Sequence, residues 1–350
     1  MPSASSQAII HASADTLMND IGKDIYVGLL VIGDPHLAGR TPDFRSDDYP
    51  RVTLEKFAWA LRYAHTHRLL PVMLGDLFDR PRDNPTWLVG ELIELLANTA
   101  CVGIYGNHDC ADPQLGDHDS LSLLVKAGCI RLLDNAPWEG TMQGRRVVIG
   151  GSSYRKLLPD RFDHDGVQSA MNTPAQQSSP IVFWISHHDL IVPGYIEEGR
   201  IHPQEIPGVD VVINGHIHRM LGDVQRGQTL WITPGNISRR SRSDASKAHI
   251  PAVLRLDITP TGYTRTSIEV PHQPFEDVFH AAITDMAAHD NQQSAFVTGL
   301  AQLQARRTEG GAALMEFLDL NLGQFEDNIA DEIRKLAQEV TNGGATNSVD

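Results

Sequence analysis

Tyr26-Val27-Gly28-Leu29-Leu30-Val31-Ile32-Gly33-Asp34-Pro35-His36 is the stretch on which the fold turns. Its apolar run has no polar alternation, which is the pattern of a strand buried on both faces, as in a layered α/β core. The run ends in a small residue, and polar ligand-type side chains follow at once. Four further runs end the same way: Leu74-Gly75-Asp76, Tyr105-Gly106-Asn107-His108-Asp109, Ile185-Ser186-His187 and Asn214-Gly215-His216-Ile217-His218. Asp34, His36, Asp76, Asn107, His187, His216 and His218 therefore all leave strand ends, which is where open α/β sheets collect their ligands. That many oxygen and nitrogen donors suits two metal ions.

Around these runs, helical periodicity is expected at 52–67, 86–97 and 119–127. The helix at 86 should be capped by Asn84 or Thr86, with Pro85 near its start. Strands are expected at 70–75, 101–105, 146–150, 181–186, 209–213, 229–232, 252–257 and 263–269. Early strand–helix alternation gives an α/β core, and the strand-rich later half calls for a second sheet. Residues 1–24 read as a flexible extension without a signal-peptide pattern. Residues 25–271 read as the catalytic domain, with 155–180 as a surface insertion. Residues 272–350 read as an acidic, helical C-terminal region with a disordered tail.

Net charge is −15, of which about −9 falls after residue 270 and about −6 before it. That balance argues against broad, non-specific nucleic-acid binding, which needs clustered Lys and Arg. Cys101, Cys110 and Cys129 form no metal or disulfide spacing and read as buried thiols in a reducing, cytoplasmic setting. No apolar run approaches the ~18–20 residues of a membrane span.

Asp34 and His36 stand two apart at a strand end and should point alike. His216 and His218 should repeat that arrangement. Asp76 has two oxygens with which to bridge two ions. His187 sits directly at its strand end and is preferred to His188, which is left beside it. Nitrogen and oxygen donors without thiolate suit Mn²⁺, with Fe or Zn²⁺ as alternatives. Two ions ~3.5–4 Å apart would clamp a phosphate and lower the pKa of a bridging water for attack on phosphorus. His108 is then free for acid–base work, with Asp109 expected to fix its tautomer.

These five ordered motifs resemble those of the calcineurin-like metallophosphoesterases, over about residues 34–218. The resemblance implies two mixed β-sheets in a four-layer sandwich flanked by helices. It implies Asp34, His36, Asp76 and His218 on one ion. It implies Asp76, Asn107, His187 and His216 on the other, with His108 near the scissile phosphate. A narrower set is similar to the DNA-repair nuclease branch, which includes the nuclease subunit of bacterial SbcCD and a phage recombination endonuclease subunit. That set is Gly75-Asp76-Leu77-Phe78-Asp79 with Pro81 and Pro85, Arg45-x-Asp47-Asp48-Tyr49, and Thr233-Pro234-Gly235-Asn236-Ile237-Ser238-Arg239. It implies a DNA substrate and a coiled-coil ATPase partner of the SMC type, in a bacterial or phage-infected cell. A homodimer is compatible with it. Some relatives carry a His where Asp79 stands, and the helical C-terminal region departs from cellular members toward phage-type ones. Arg40, Arg45, Arg80, Arg82, Arg239 and Arg240 read equally as solvated loop residues or as DNA contacts. Two other readings stand beside the nuclease: a phosphoesterase of small or cyclic nucleotides, and a non-catalytic scaffold for an ATPase.

Overall fold

The structure, a computed structural model, describes residues 26–279 apart from 43, 98, 135, 164–178 and 196–198, together with Lys335. The chain divides into two units, 1–279 and 280–350. The helices expected beyond residue 280, the tail, the N-terminal extension and most of the 155–180 insertion lie outside the described residues.

Strands β1 (Gly28–Ile32), β2 (Leu69–Met73), β3 (Val102–Gly103) and β4 (Arg131–Leu132) run parallel in the first sheet. β11 (Ala252–Thr259) and β12 (Gly262–Glu269) add antiparallel strands on the other side of β1, giving the order β12-β11-β1-β2-β3-β4. The second sheet contains β5 (Trp138–Met142), β6 (Arg145–Ser152), β7 (Ile181–Ser186), β8 (Val211–Asn214), β9 (Val224–Arg226) and β10 (Thr229–Ile232). Its order is β5-β6-β7-β8-β10-β9, parallel from β6 through β10 with antiparallel edges. Two mixed sheets flanked by helices are thus the architecture expected. β4, β5 and β9 were not expected: they are short or only partly buried, so no continuous apolar run marks them.

Every residue of β1 is buried, and its two faces serve different cores. Leu30 and Ile32 meet helices α1 (Tyr49–Thr66), α2 (Thr86–Leu96) and α3 (Ser120–Lys126) through Leu54, Phe57, Leu61, Leu88, Leu92 and Leu124. Leu29 and Val31 face the second sheet across Val147, Ile149, Phe183, Ile185 and Ile213. The outer face of the second sheet is covered by loop residues that include Leu190, Val192 and Ile206.

Helix α1 starts where Asp48 accepts a hydrogen bond from the Arg51 amide, and Pro50 fits the first turn. Its apolar positions recur every three or four residues, so one face is buried. Helix α2 is capped by Pro85 itself, not by Asn84 or Thr86. The Asn84 amide instead donates to the Arg80 carbonyl and Ser120 Oγ, tying this turn to α3. A short helix, α4 (Asp244–Ala248), follows the last motif. The first unit runs on past residue 271 through α5 (Phe275–Val278). Val278 and Phe279 are buried, and the Val278 carbonyl accepts from the Ser46 amide. The three cysteines are buried and unbridged.

Candidate metal centre

All five ligand-bearing turns converge at one edge of the sandwich. Asp34, His36 and Asp76, all non-glycine, adopt positive φ of 31°, 47° and 47°, and His216 has φ 70°. Such backbone is costly for L-residues and concentrates at functional sites. It also corrects the expectation of parallel side chains two apart, because these turns are not extended. Asp34 and His36 do reach one grouping with Asp76 and His218, but His216 turns away from His218 and joins Asp76 and His187.

Glycine is required where the chain crowds the cluster. Gly75 has φ 98°, and a Cβ there would stand 2.6 Å from His187 Nδ1. A Cβ on Gly106 would lie 2.6 Å from the Asp76 amide nitrogen and closer still to Asp76 Oδ1.

Asp76 sits between the two groupings. Its Oδ2 is 3.6 Å from His36 Nε2 and 3.4 Å from His187 Nε2, while Oδ1 accepts from the His108 amide at 2.7 Å. On one side, His36 Nε2 and His218 Nε2 face each other at 2.9 Å, and Asp34 Oδ2 lies 3.6 Å from His218 Nε2. On the other, Asn107 Oδ1 lies 2.9 Å from His216 Nδ1 and 3.2 Å from His187 Nε2. His187 Nδ1 donates to the Leu74 carbonyl at 2.7 Å, so Nε2 is the nitrogen aimed inward. Asp34, His36, Asp76 and His187 are buried, whereas Asn107, His216 and His218 are half-buried and form the open side.

The donor set fits divalent cations. Asp34 Oδ1 and Asp76 Oδ2 are buried carboxylate oxygens without a hydrogen-bond partner, and His36 Nδ1 is likewise unpartnered. Lone pairs of imidazoles, carboxylates and one amide oxygen crowd together with too few protons to satisfy them. Burial, reinforced by neighbouring Asp76, pushes Asp34 up to about 8. Burial would lower His187, but the Asp76 and Asp34 carboxylates overcome it and raise it to about 10. Both shifts place a proton among the crowded carboxylates, and a cation can take that balancing role. This Asp/His cluster suggests a dinuclear divalent-metal site.

His188 points elsewhere: its Nε2 bonds the Lys156 carbonyl at 2.8 Å, and its amide donates to Asn214 Oδ1. His108 is buried beside the cluster with its ring edge-on to His36, centroids 4.8 Å apart. Its Nδ1 donates to the Asp79 carbonyl at 2.8 Å. The expected partner, Asp109, does not touch the ring. Asp109 is fully buried and accepts from the amides of Leu77, Phe78 and Gly106, so it braces the turns that carry Asp76 and Asn107. Burial, with the charge of Asp76, raises it to about 7.

The arginines divide. Arg240 reaches the site: Nε donates to Asp79 Oδ1 at 2.9 Å, and Nη1 lies 3.3 Å from His108 Nε2. Arg239 does not. It is buried, donating to the carbonyls of His249 and Gln273. Arg45 is also buried, paired with Asp47 and donating to the Arg239 carbonyl. Arg82 binds Asp112 and Asp119. Arg80 is exposed. Thus two of the arginines open to a DNA reading are structural, because their guanidiniums satisfy loop carbonyls that have no sheet partner.

Two residues of the site were missed in the sequence. Asp189 Oδ1 lies 2.5 Å from His216 Nε2 and fixes that ring with Nδ1 inward, as carboxylates do for ligating imidazoles. Its signal was the run His187-His188-Asp189. Tyr154 stacks on His216 with centroids 6.4 Å apart, and nothing in its sequence context marks it.

A two-sheet α/β sandwich with a buried Asp/His/Asn cluster at its strand ends defines a metal-dependent phosphoester hydrolase. The chain belongs to the calcineurin-like phosphoesterase family, whose model matches residues 28–220. A comparison with curated proteins gives no match. Among solved structures, the chain is similar to a hypothetical protein from Thermus thermophilus, at 13% identity and TM-score 0.37, covering 69% of this chain and 99% of that one. It is similar to the sulfate thiohydrolase SoxB of the same species, at 12% identity and TM-score 0.37, covering 71% of this chain and 56% of that one. It is also similar to the phosphopantetheinyl hydrolase PptH of Mycobacterium tuberculosis, at 13% identity and TM-score 0.37, covering 64% of this chain and 95% of that one. Among the described residues no helix is long and apolar enough to cross a membrane.

Proposed function

We infer that this hydrolase is a Mn²⁺-dependent DNA nuclease subunit, acting on DNA ends beside a coiled-coil SMC-type ATPase in the cytoplasm. One observation carries the reading: the three segments similar to the nuclease branch meet at one rim of the cluster. Asp79 pairs with Arg240, the residue directly after the third segment, Arg45 donates to the Arg239 carbonyl within it, and Tyr49 Oη donates to the carbonyl of the cluster residue His36 at 3.4 Å.

In this reading Asp34, His36, Asp76 and His218 would hold one ion, and Asp76, Asn107, His187 and His216 would hold the other. When bound, the two ions supply Lewis acidity and a water of lowered pKa. The protein's own groups do the rest. Asp76 sets the spacing of the two groupings. Asp189 and the Leu74 carbonyl keep His216 and His187 in their ligating tautomers. His108 Nε2 faces the cluster beside Arg240, and in the doubly protonated imidazolium form it gives its Nε2 proton to the leaving oxygen. The acidic region after residue 279 serves as the docking arm for the ATPase.

A side-by-side assay with Mn²⁺ tests this on linear double-stranded DNA, a cyclic nucleotide and a nitrophenyl phosphodiester, with and without the ATPase. Cleavage of DNA ends is expected, and His108→Ala should abolish it while metal content stays unchanged. Intact DNA ends under all conditions overturn the substrate assignment. The small-nucleotide reading draws on a different fact: Arg45, Arg82 and Arg239 are engaged internally, and net charge is −15. Turnover of the cyclic nucleotide alone would establish it.

A further inference from the structure

We propose that Arg240 is the phosphate clamp of this site and that Asp79 is its positioning residue. The proposal rests on the phosphoester-hydrolase assignment and not on the choice of DNA as substrate.

The described residues hold a third grouping of ligand type, His36, Asp79 and His108. Arg240 already supplies the positive charge there. Its Nε donates to Asp79 Oδ1 at 2.9 Å, and its Nη2 lies 2.7 Å from the same oxygen. Its Nη1 lies 3.3 Å from His108 Nε2. His108 Nδ1 faces a carbonyl, which only accepts, so Nδ1 carries the hydrogen and Nε2 offers its lone pair to the guanidinium. Three of the five N–H groups are thus directed, and two are left over. Among the described residues these two meet no acceptor. The side chain remains 29% exposed, so the fork beside His108 is reachable from solvent.

A rigid planar donor fork with two unused N–H groups fits two oxygens of a phosphate, whereas an ammonium does not. Asp79 holds the fork from behind. The position is decided by tertiary structure: Asp79 follows the β2 turn and Arg240 lies 161 residues later. An entering phosphate takes the free N–H groups and draws Nη1 off His108, which leaves Nε2 facing the phosphoryl centre. Arg239, its neighbour, has no such access because its fork is spent on the His249 and Gln273 carbonyls.

The test uses the full chain with Mn²⁺. Orthophosphate binding is measured by calorimetry, and nitrophenyl phosphodiester turnover is measured alongside. Arg240→Ala should weaken phosphate binding about 10–100-fold, as loss of charge-assisted hydrogen bonds does, and lower kcat/KM by a similar factor. Metal content per chain should stay at the wild-type value. Arg240→Lys, which keeps the charge but not the fork, should recover binding only in part. Asp79→Asn should give a smaller loss, and in the Arg240→Ala background it should cost nothing further. Unchanged phosphate affinity in Arg240→Ala at wild-type metal content overturns the proposal, as does full recovery by lysine. A thermal melt identifies a variant that fails to fold, and Arg240→Lys then carries the decision. If the wild type turns over no phosphoester, the hydrolase assignment fails, while the phosphate-binding comparison still decides the clamp.

Discussion

Gly106→Ala should uncouple metal binding from folding. The new Cβ would stand 2.6 Å from the Asp76 amide nitrogen and 2.6 Å from His187 Cε1, with Asp76 Oδ1 nearer still. Non-bonded heavy atoms settle at about 3.5–4.0 Å, so both neighbours must retreat by about 1 Å. Overpacking of that kind costs about 1–3 kcal/mol of stability. Its effect on metal is larger, because ligand distances tolerate only about ±0.2 Å. Asp76 and His187 are the residues that move, and Asp76 belongs to both groupings. A loss of at least about 10–100-fold in Mn²⁺ affinity follows, comparable to losing an outer-shell partner. At a fixed Mn²⁺ concentration well above the wild-type Kd, that removes about 1.4–2.8 kcal/mol of ligand-induced stabilisation. The assay is metal content after dialysis together with unfolding midpoints measured with and without Mn²⁺. A variant that keeps the wild-type metal content and the full Mn²⁺-induced shift would refute the argument that Gly106 is fixed by the Asp76 carboxylate.

Other outcomes follow from the same geometry. His187→Gln should reduce metal content, whereas His188→Gln should leave it unchanged, because the His188 ring bonds the Lys156 carbonyl; mass spectrometry of the purified variants separates them. Asp189→Asn should lower metal affinity about 10–100-fold by freeing the His216 ring, and an unchanged affinity by calorimetry would remove Asp189 from the site. His249 is buried and held down to about 4 by loss of solvation, so its neutral form is the folded one. Its contribution is fully present above the usual value near 6.5 and is lost as pH falls toward 4, on the order of 3 kcal/mol. Denaturant titrations at pH 7 and pH 4 should therefore show a smaller acid loss in His249→Gln than in the wild type; equal losses would sink this account.

Much of the site was legible because its ligands follow strands that leave a strong signal. β1, β2, β7 and β8 are continuous apolar runs, and a run that ends in Gly or Ser and then Asp, Asn or His marks the sheet edge where ligands gather. His187 was separable from His188 by its place at the strand end. Asp109 was misread because adjacency in sequence to His108 suggested contact, while the turn aims its carboxylate at three backbone amides instead.

By itself, then, the sequence determined the α/β class, the two-sheet division and the donor atoms brought to one edge, since burial and residue type depend on local pattern. Local spacing did not decide how those donors are shared; the family resemblance implied a division, and the tertiary structure supplies its physical reason. Positive φ at Asp34, His36, Asp76 and His216 sends His216 and His218 to different groupings, and no side-chain period encodes that. It also decided that Arg239 is spent on loop carbonyls while Arg240 faces His108. Adjacent residues in a loop have no fixed phase, so their directions are set by whichever distant partner, Gln273 or Asp79, the folded chain brings within reach.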